Sequence, residues 1–198
     1  MRASVLWNLF CAEGAHVNLM KQHTIVALMQ DQPGALNRAV SLFRRRGYNI
    51  ASLAVGHTET PGISRMTLVV ESDDVEQVVK QLYRLIDVVK VSDVTDDPTV
   101  DREMALTKVH TTSATRAEIA TLVEIFDAKV VDVSPNTMII EMTGTPAKVE
   151  NFVEVIRPFG IKEMMRTGRI AMMRGTHTHR GTEYVEGNGH MTTGTVLN

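Results

Sequence analysis

Apolar and polar residues follow one another along this chain in two rhythms, and each change of rhythm marks an element. His23 to Gln30 is mostly apolar and bounded by turn residues, which predicts a buried strand. Pro33 suits the first turn of a helix, where its missing N–H costs little, and Leu36, Ala39, Val40 and Phe43 then recur at helical spacing. Gly47 stands where helices commonly end on a left-handed residue. Tyr48 to His57 reads as a second strand, Glu59-Thr60-Pro61-Gly62 as a turn and Ile63 to Glu71 as a third strand. Val75, Val78, Val79, Leu82, Leu85 and Ile86 form the apolar stripe of a second helix, and Val88 to Val94 closes the set as a fourth strand. The order is βαββαβ.

Beyond a linker at Asp96-Asp97-Pro98 the order repeats. Glu103 to His110 predicts a strand, and Ser113 a cap for a helix carrying Ile119, Leu122, Val123 and Phe126. Lys129 to Val133 and Thr137 to Met142 read as strands joined by a turn at Ser134-Pro135-Asn136. Thr145 and Pro146 open a helix with Val149, Phe152, Val153 and Ile156, and Ile161 to Met173 supplies a last strand, bent at Gly168. A repeat of about 80 residues points to two similar domains rather than a solenoid, whose repeats are shorter. Each half can form a four-stranded sheet with two helices on one face. The expected fold class is therefore α+β, two tandem ferredoxin-like βαββαβ domains. The expected divisions are an N-terminal extension at 1–20, a first domain at 21–97, a second at 98–175 and a flexible tail at 176–198, rich in Thr, His, Gly and Asn. Two helices cover only one face of such a sheet, so the other face and the edge strands invite association and an oligomer.

Composition narrows the class further. The chain has 198 residues, of which 43% are hydrophobic and 22% charged, a globular balance. A formal net charge of -2 gives none of the basic excess usual in a nucleic-acid binder. Cys11 is the single cysteine, so an intramolecular disulfide and a thiolate-rich metal site are excluded, and a reducing, cytoplasmic location is expected. The apolar stretch from Val5 to Ala12 is too short to span a membrane. It is broken by Asn8 and followed by no clear cleavage site, so it only faintly resembles a secretory signal. Met20-Lys21 would be a natural start, and whether the preceding residues are native is left open.

One stretch carries candidate chemistry. Asp31-Gln32-Pro33-Gly34-Ala35-Leu36 lies between a strand and a helix, so the N–H groups of Gly34, Ala35 and Leu36 lack helical partners and carry the positive end of the helix dipole. A small carboxylate would satisfy them. Asp31 has the charge to meet an ammonium group, Asn49 has both donor and acceptor capacity, and Leu36 and Ile50 could frame an apolar side chain. Pro-Gly before a helix is also common in proteins that bind nothing there, so a plain capped turn is the competing reading.

Other features carry less. Arg38 with Arg44-Arg45-Arg46 would suit RNA, but the strand Ile63 to Val70 has no aromatic residue on which bases could stack, and the arginines sit where cations complement a helix C-terminus. His177, His179 and His190 are joined by no Cys or acidic cluster at metal-ligand spacing. No phosphate loop, dinucleotide fingerprint or nucleophile motif is present, so neither catalytic nor metal-binding residues are assigned.

The run from Asp31 to Leu36, followed by Leu42-Phe43-Arg44-Arg45-Arg46-Gly47-Tyr48-Asn49-Ile50-Ala51-Ser52-Leu53, resembles the ACT domain of acetolactate synthase (acetohydroxyacid synthase) small, regulatory subunits. Ser64 to Thr67, Lys80 to Leu82 with Val88 to Val91, Val131 to Pro135, and Arg157 to Ile161 with Arg166-Thr167-Gly168 resemble the same family. The resemblance spans about Lys21 to Gly175. It implies a non-catalytic chain, with no cofactor of its own, that activates a large catalytic subunit carrying thiamine diphosphate, Mg²⁺ and FAD. That partner makes acetolactate from pyruvate in branched-chain amino-acid biosynthesis. The resemblance further implies a homodimer through the ACT domains and feedback inhibition by valine bound where two of them meet. By matching positions the valine site comprises Asp31, Gln32, Pro33, Gly34, Ala35, Leu36, Asn49 and Ile50. Some members carry Asn where this chain has Asp31, which leaves the role of that carboxylate open. A free-standing ACT-domain sensor controlling a different enzyme is the alternative. No nucleic-acid or membrane partner is expected.

Overall fold

The computed structural model describes residues 21–175; the expected N-terminal extension, tail and tail histidines lie outside them. Two βαββαβ units follow one another. The first contains β1 (Gln22–Gln30), α1 (Ala35–Arg46), β2 (Asn49–His57), β3 (Ile63–Glu71), α2 (Val75–Tyr83) and β4 (Val88–Asp93). Its antiparallel sheet runs β2-β3-β1-β4. The second contains β5 (Thr99–His110), α3 (Thr115–Ile125), β6 (Lys129–Ser134), β7 (Thr137–Gly144), α4 (Pro146–Ile156) and β8 (Ile161–Arg166), in the matching order β6-β7-β5-β8. A short β9 (Ile170–Met173) pairs with the start of β5.

Each unit has its own core. Ile25, Ala27 and Met29 on β1 and Met66, Leu68 and Val70 on β3 alternate toward α1 and α2, where Ala39, Phe43, Val78 and Leu82 meet them. In the second unit Ala105, Val109, Ile140 and Met142 meet Ile119, Val149, Phe152 and Ile156, with Phe126 edge-on to Phe152. Caps fix the helix ends. Gly47 is left-handed at φ 72°, its N–H donates to Arg44 and that of Tyr48 to Phe43, so α1 ends where the glycine predicts and Arg44–Arg46 fill its last turn. Asp74 caps α2 through the Gln77 N–H, and Thr145 caps α4 through the Lys148 N–H.

Four details depart from the sequence pattern. The stripe of α2 stops at Tyr83, because the chain turns through Leu85 to bring Asp87 under α1, and Ile86 is left 87% exposed. Ser113 does not cap α3; Thr112 and Thr115 bond each other's backbone and hydroxyl groups instead. β5 begins at Thr99 rather than Glu103, since Thr99–Arg102 gain partners from β9. The single bent strand expected from Ile161 to Met173 is two strands, separated where Gly168 turns left-handed at φ 83°.

That break sends the chain from the second unit onto the first. Ala171 is buried against Val26 and Val94 on the side of the first sheet away from its helices. The open face expected to be free is thus partly covered from within the chain. The outer edge of β2 pairs with no strand among the described residues.

Candidate functional site

The loop after β1 is built by a tight turn. Gln32-Pro33-Gly34-Ala35 has proline second and a left-handed glycine third (φ 88°, ψ -11°), the dihedral pattern of a type II turn, and the Ala35 N–H closes it on the Gln32 carbonyl at 3.1 Å. The Ala35 amide is therefore occupied, contrary to the expectation of three free donors. Among the described residues, the N–H groups of Gly34 and Leu36 have no backbone acceptor. The first turn of α1 holds no acidic residue and has no side-chain cap, so nothing in the helix offsets its positive end. The loop is exposed and accessible, apart from buried Ala35.

Two charged groups not assigned to this site by the sequence reading stand beside it. Asp87 is buried, and the Arg38 guanidinium binds it with two hydrogen bonds. A Cβ placed on Gly34 would lie 3.1 Å from the Nη1 of Arg38, so this cation covers the helix start. Hydrogen bonding from Arg38 holds the Asp87 carboxyl below the usual carboxylate range, while the same contact raises the guanidinium. Arg38 was visible as the residue four positions after Gly34, one helical turn on. Asp31 donates its N–H to the Gly62 carbonyl, and its carboxylate lies 3.2 Å from Nδ1 of His57.

The eight predicted site residues do not meet within one chain. Asp31 to Leu36 sit together at the end of the sheet where β1 finishes. Asn49 and Ile50 start β2 at the opposite end, opposite Glu71 and Val70, whose β1 partners are Gln22 and His23. β2 carries the chain back across the sheet, about 26 Å over eight steps of a strand. The Asn49 side-chain amide donates to Oε2 of Glu71 at 2.6 Å, and Gln22 donates to the other oxygen at 3.2 Å. These two bonds depress the Glu71 carboxyl. With its NH₂ engaged, Asn49 presents a carbonyl oxygen as acceptor. A bulge between Ile50 and Ser52 turns the strand just after this pair.

Chemically, the loop offers two amides and a cation to an anion, and the start of β2 offers an acceptor to a cation. That pair of functions suits a small zwitterion. Among the described residues no three His, Cys, Asp or Glu side chains cluster as metal ligands, and no helix is long and apolar enough to cross a membrane.

Comparison with known proteins places this geometry in context. Residues 25–90 match the family described as AHAS small subunit-like ACT domain, and residues 102–175 match the small subunit of acetolactate synthase. The chain is 52% identical over 156 residues to a probable acetolactate synthase small subunit of Archaeoglobus fulgidus, covering 78% of this chain and 98% of that protein. It is 48% identical over 155 residues to the acetolactate synthase small subunit of Bacillus subtilis, covering 77% and 90%. The crystal structure of the acetolactate synthase small subunit from Thermotoga maritima superposes with a TM-score of 0.73 at 42% identity, over 79% of this chain and 99% of that one.

Proposed function

The chain belongs to the acetolactate synthase small-subunit family, and on that premise we propose that it is a non-catalytic regulatory subunit that confers feedback inhibition by valine. Its partner in this reading is the thiamine-diphosphate-dependent catalytic subunit, which also carries Mg²⁺ and FAD and which this chain activates. The observation that carries the effector reading is the separation of Asp31–Leu36 from Asn49–Ile50 at opposite ends of a sheet whose β2 edge is unpaired among the described residues. Two copies joined antiparallel along β2 about a two-fold axis bring Asn49 and Ile50 of the partner subunit to the end that holds the loop. The Gly34 and Leu36 amides then take the carboxylate of valine, and the Asn49 carbonyl meets its ammonium.

Binding at that seam stabilises one arrangement of the dimer and shifts the attached catalytic subunit toward a less active state. A ligand can do this only by binding the two states with different affinity, typically by about 1–3 kcal/mol. The test is calorimetric titration of the purified chain with valine, with Gly34→Asp as control and the assembled enzyme assayed in parallel. Binding abolished by the substitution supports the reading; valine inhibition unchanged in the variant overturns the site. Co-purification separates this reading from a free-standing ACT-domain sensor, which would bring down an enzyme without thiamine diphosphate.

A further inference from the structure

The segment between β8 and β9 fastens the second unit to the strand that carries Asn49 and Ile50. At its near end Arg166 is locked into the second unit. Its Nε and Nη2 bond both carboxylate oxygens of buried Glu103 at 2.6 and 2.9 Å, and its Nη1 bonds Glu150 on α4 at 2.6 Å. Thr167 comes next, exchanging hydrogen bonds with the backbone of Met104 on β5. Two residues beyond, the contacts belong to the first unit. The Arg169 N–H donates to Oγ of Ser52 at 2.7 Å, and its guanidinium to Oγ1 of Thr24 at 3.0 Å. Arg65 reaches back from β3 to the Ala171 carbonyl at 2.7 Å. Three adjacent strands of the first sheet are thus pinned by residues 169–171.

The fit at the crossing is tight. A Cβ on Gly168 would lie 2.9 Å from Oγ of Ser52 and 3.0 Å from the Leu53 carbonyl oxygen, and φ is 83°. Only glycine passes here without displacing β2 or itself. Ser52 lies two residues beyond Ile50 on the same strand, on the far side of the bulge, so a shift at Asn49–Ile50 reaches it through the backbone of β2 alone.

We propose that residues 166–171 form the coupling strap through which ligand occupancy at Asn49–Ile50 reaches the second unit, with Ser52 as its contact point and Gly168 as the residue that permits it. The inference rests on the effector reading of the first unit. The strap is stiff at both ends, held by a charged network at Arg166 and by a buried Ala171, so displacement of β2 is transmitted rather than dissipated.

The experiment uses the enzyme assembled from the full chain and its catalytic subunit. Ser52→Ala removes the acceptor with little change of volume, and Gly168→Ala tests the close approach. Valine affinity is measured calorimetrically on each regulatory chain, inhibition on each assembled enzyme, and amide hydrogen exchange across 166–171 with and without valine. The expected result for Ser52→Ala is binding within about threefold of the parent, a rise of about tenfold in the valine needed for half inhibition, and loss of the valine effect on exchange in the strap. Inhibition equal to the parent in Ser52→Ala overturns the proposal. So does loss of binding in step with inhibition, which would make Ser52 part of the ligand site. A parent chain that binds no valine overturns the effector reading, and this inference with it. Should Gly168→Ala fail to fold, Ser52→Ala still decides.

Discussion

Arg38 grips the buried carboxylate of Asp87 through two parallel hydrogen bonds, Nε to Oδ2 at 2.5 Å and Nη2 to Oδ1 at 2.7 Å, leaving Nη1 over Gly34. The same Asp87 accepts the Gln30 N–H through its backbone carbonyl at 2.8 Å. One residue in the α2–β4 turn therefore holds the last residue of β1 and the first turns of α1 in register. The pairing depresses the Asp87 carboxyl, so its contribution is fully present above the unfolded aspartate value of about 3.9 and is lost as pH falls through the lower folded value. Melting curves should show Asp87→Asn less stable than the parent at pH 7, with the two converging as pH falls below the ordinary aspartate range. A constant gap across that range would mean the ion pair contributes nothing pH-dependent.

A shared site makes a complementation prediction. Chains carrying Gly34→Asp and chains carrying Asn49→Ala should each form dimers that valine fails to inhibit. Mixed and allowed to exchange, they yield heterodimers in which one site has both defects and the other has none. Half the parental number of valine sites per heterodimer should then appear by titration. A site contained in one protomer would give no recovery at all.

Glu71 holds the Asn49 amide at 2.6 Å, so in the proposed site it would act on valine through its neighbour. Glu71→Gln keeps the size but can turn an NH₂ toward Asn49. Valine affinity should fall several-fold while the melting temperature changes little, since both groups are exposed. Inhibition curves and thermal melts on one preparation separate this from a general loss of stability.

In the second unit Glu103 is buried beneath Arg166, and removing it takes two of the three hydrogen bonds from a partly buried guanidinium and leaves it paired with Glu150 alone. Glu103→Ala should cost about 2 kcal/mol in urea unfolding, the range for hydrogen bonds between charged groups. The hydrogen bonding of Glu103 and Glu150 raises the Arg166 guanidinium well beyond titration, so this loss should be flat from pH 6 to 9.

The elements were readable where local chemistry decides them. Gly47, Thr145 with Pro146, and the alternation of β1 and β3 each specify their own geometry, and both units appear as their spacing implies. The strap was not readable. Gly168 suggests a bend, but whether the chain continues its own sheet or crosses to another depends on Ser52, more than 100 positions away. The division of the candidate site was missed for a simpler reason. Asn49 comes soon after the helix in sequence, yet a helix of 12 residues is about 18 Å long, so its two flanking segments lie at opposite ends of the sheet. Arg38 and Asp87 are far apart in sequence, and only the turn after α2 brings them together.

If Asp31–Leu36 and Asn49 meet only across two chains, then valine and the partner chain are linked ligands. Each must raise the affinity of the protein for the other by the same factor. Valine would tighten the dimer, and dilution of the chain would weaken its hold on valine. The sensitivity of the pathway would then be set by how much of this protein the cell makes as well as by how much valine it holds, so that a change in expression resets the feedback threshold without any change in sequence.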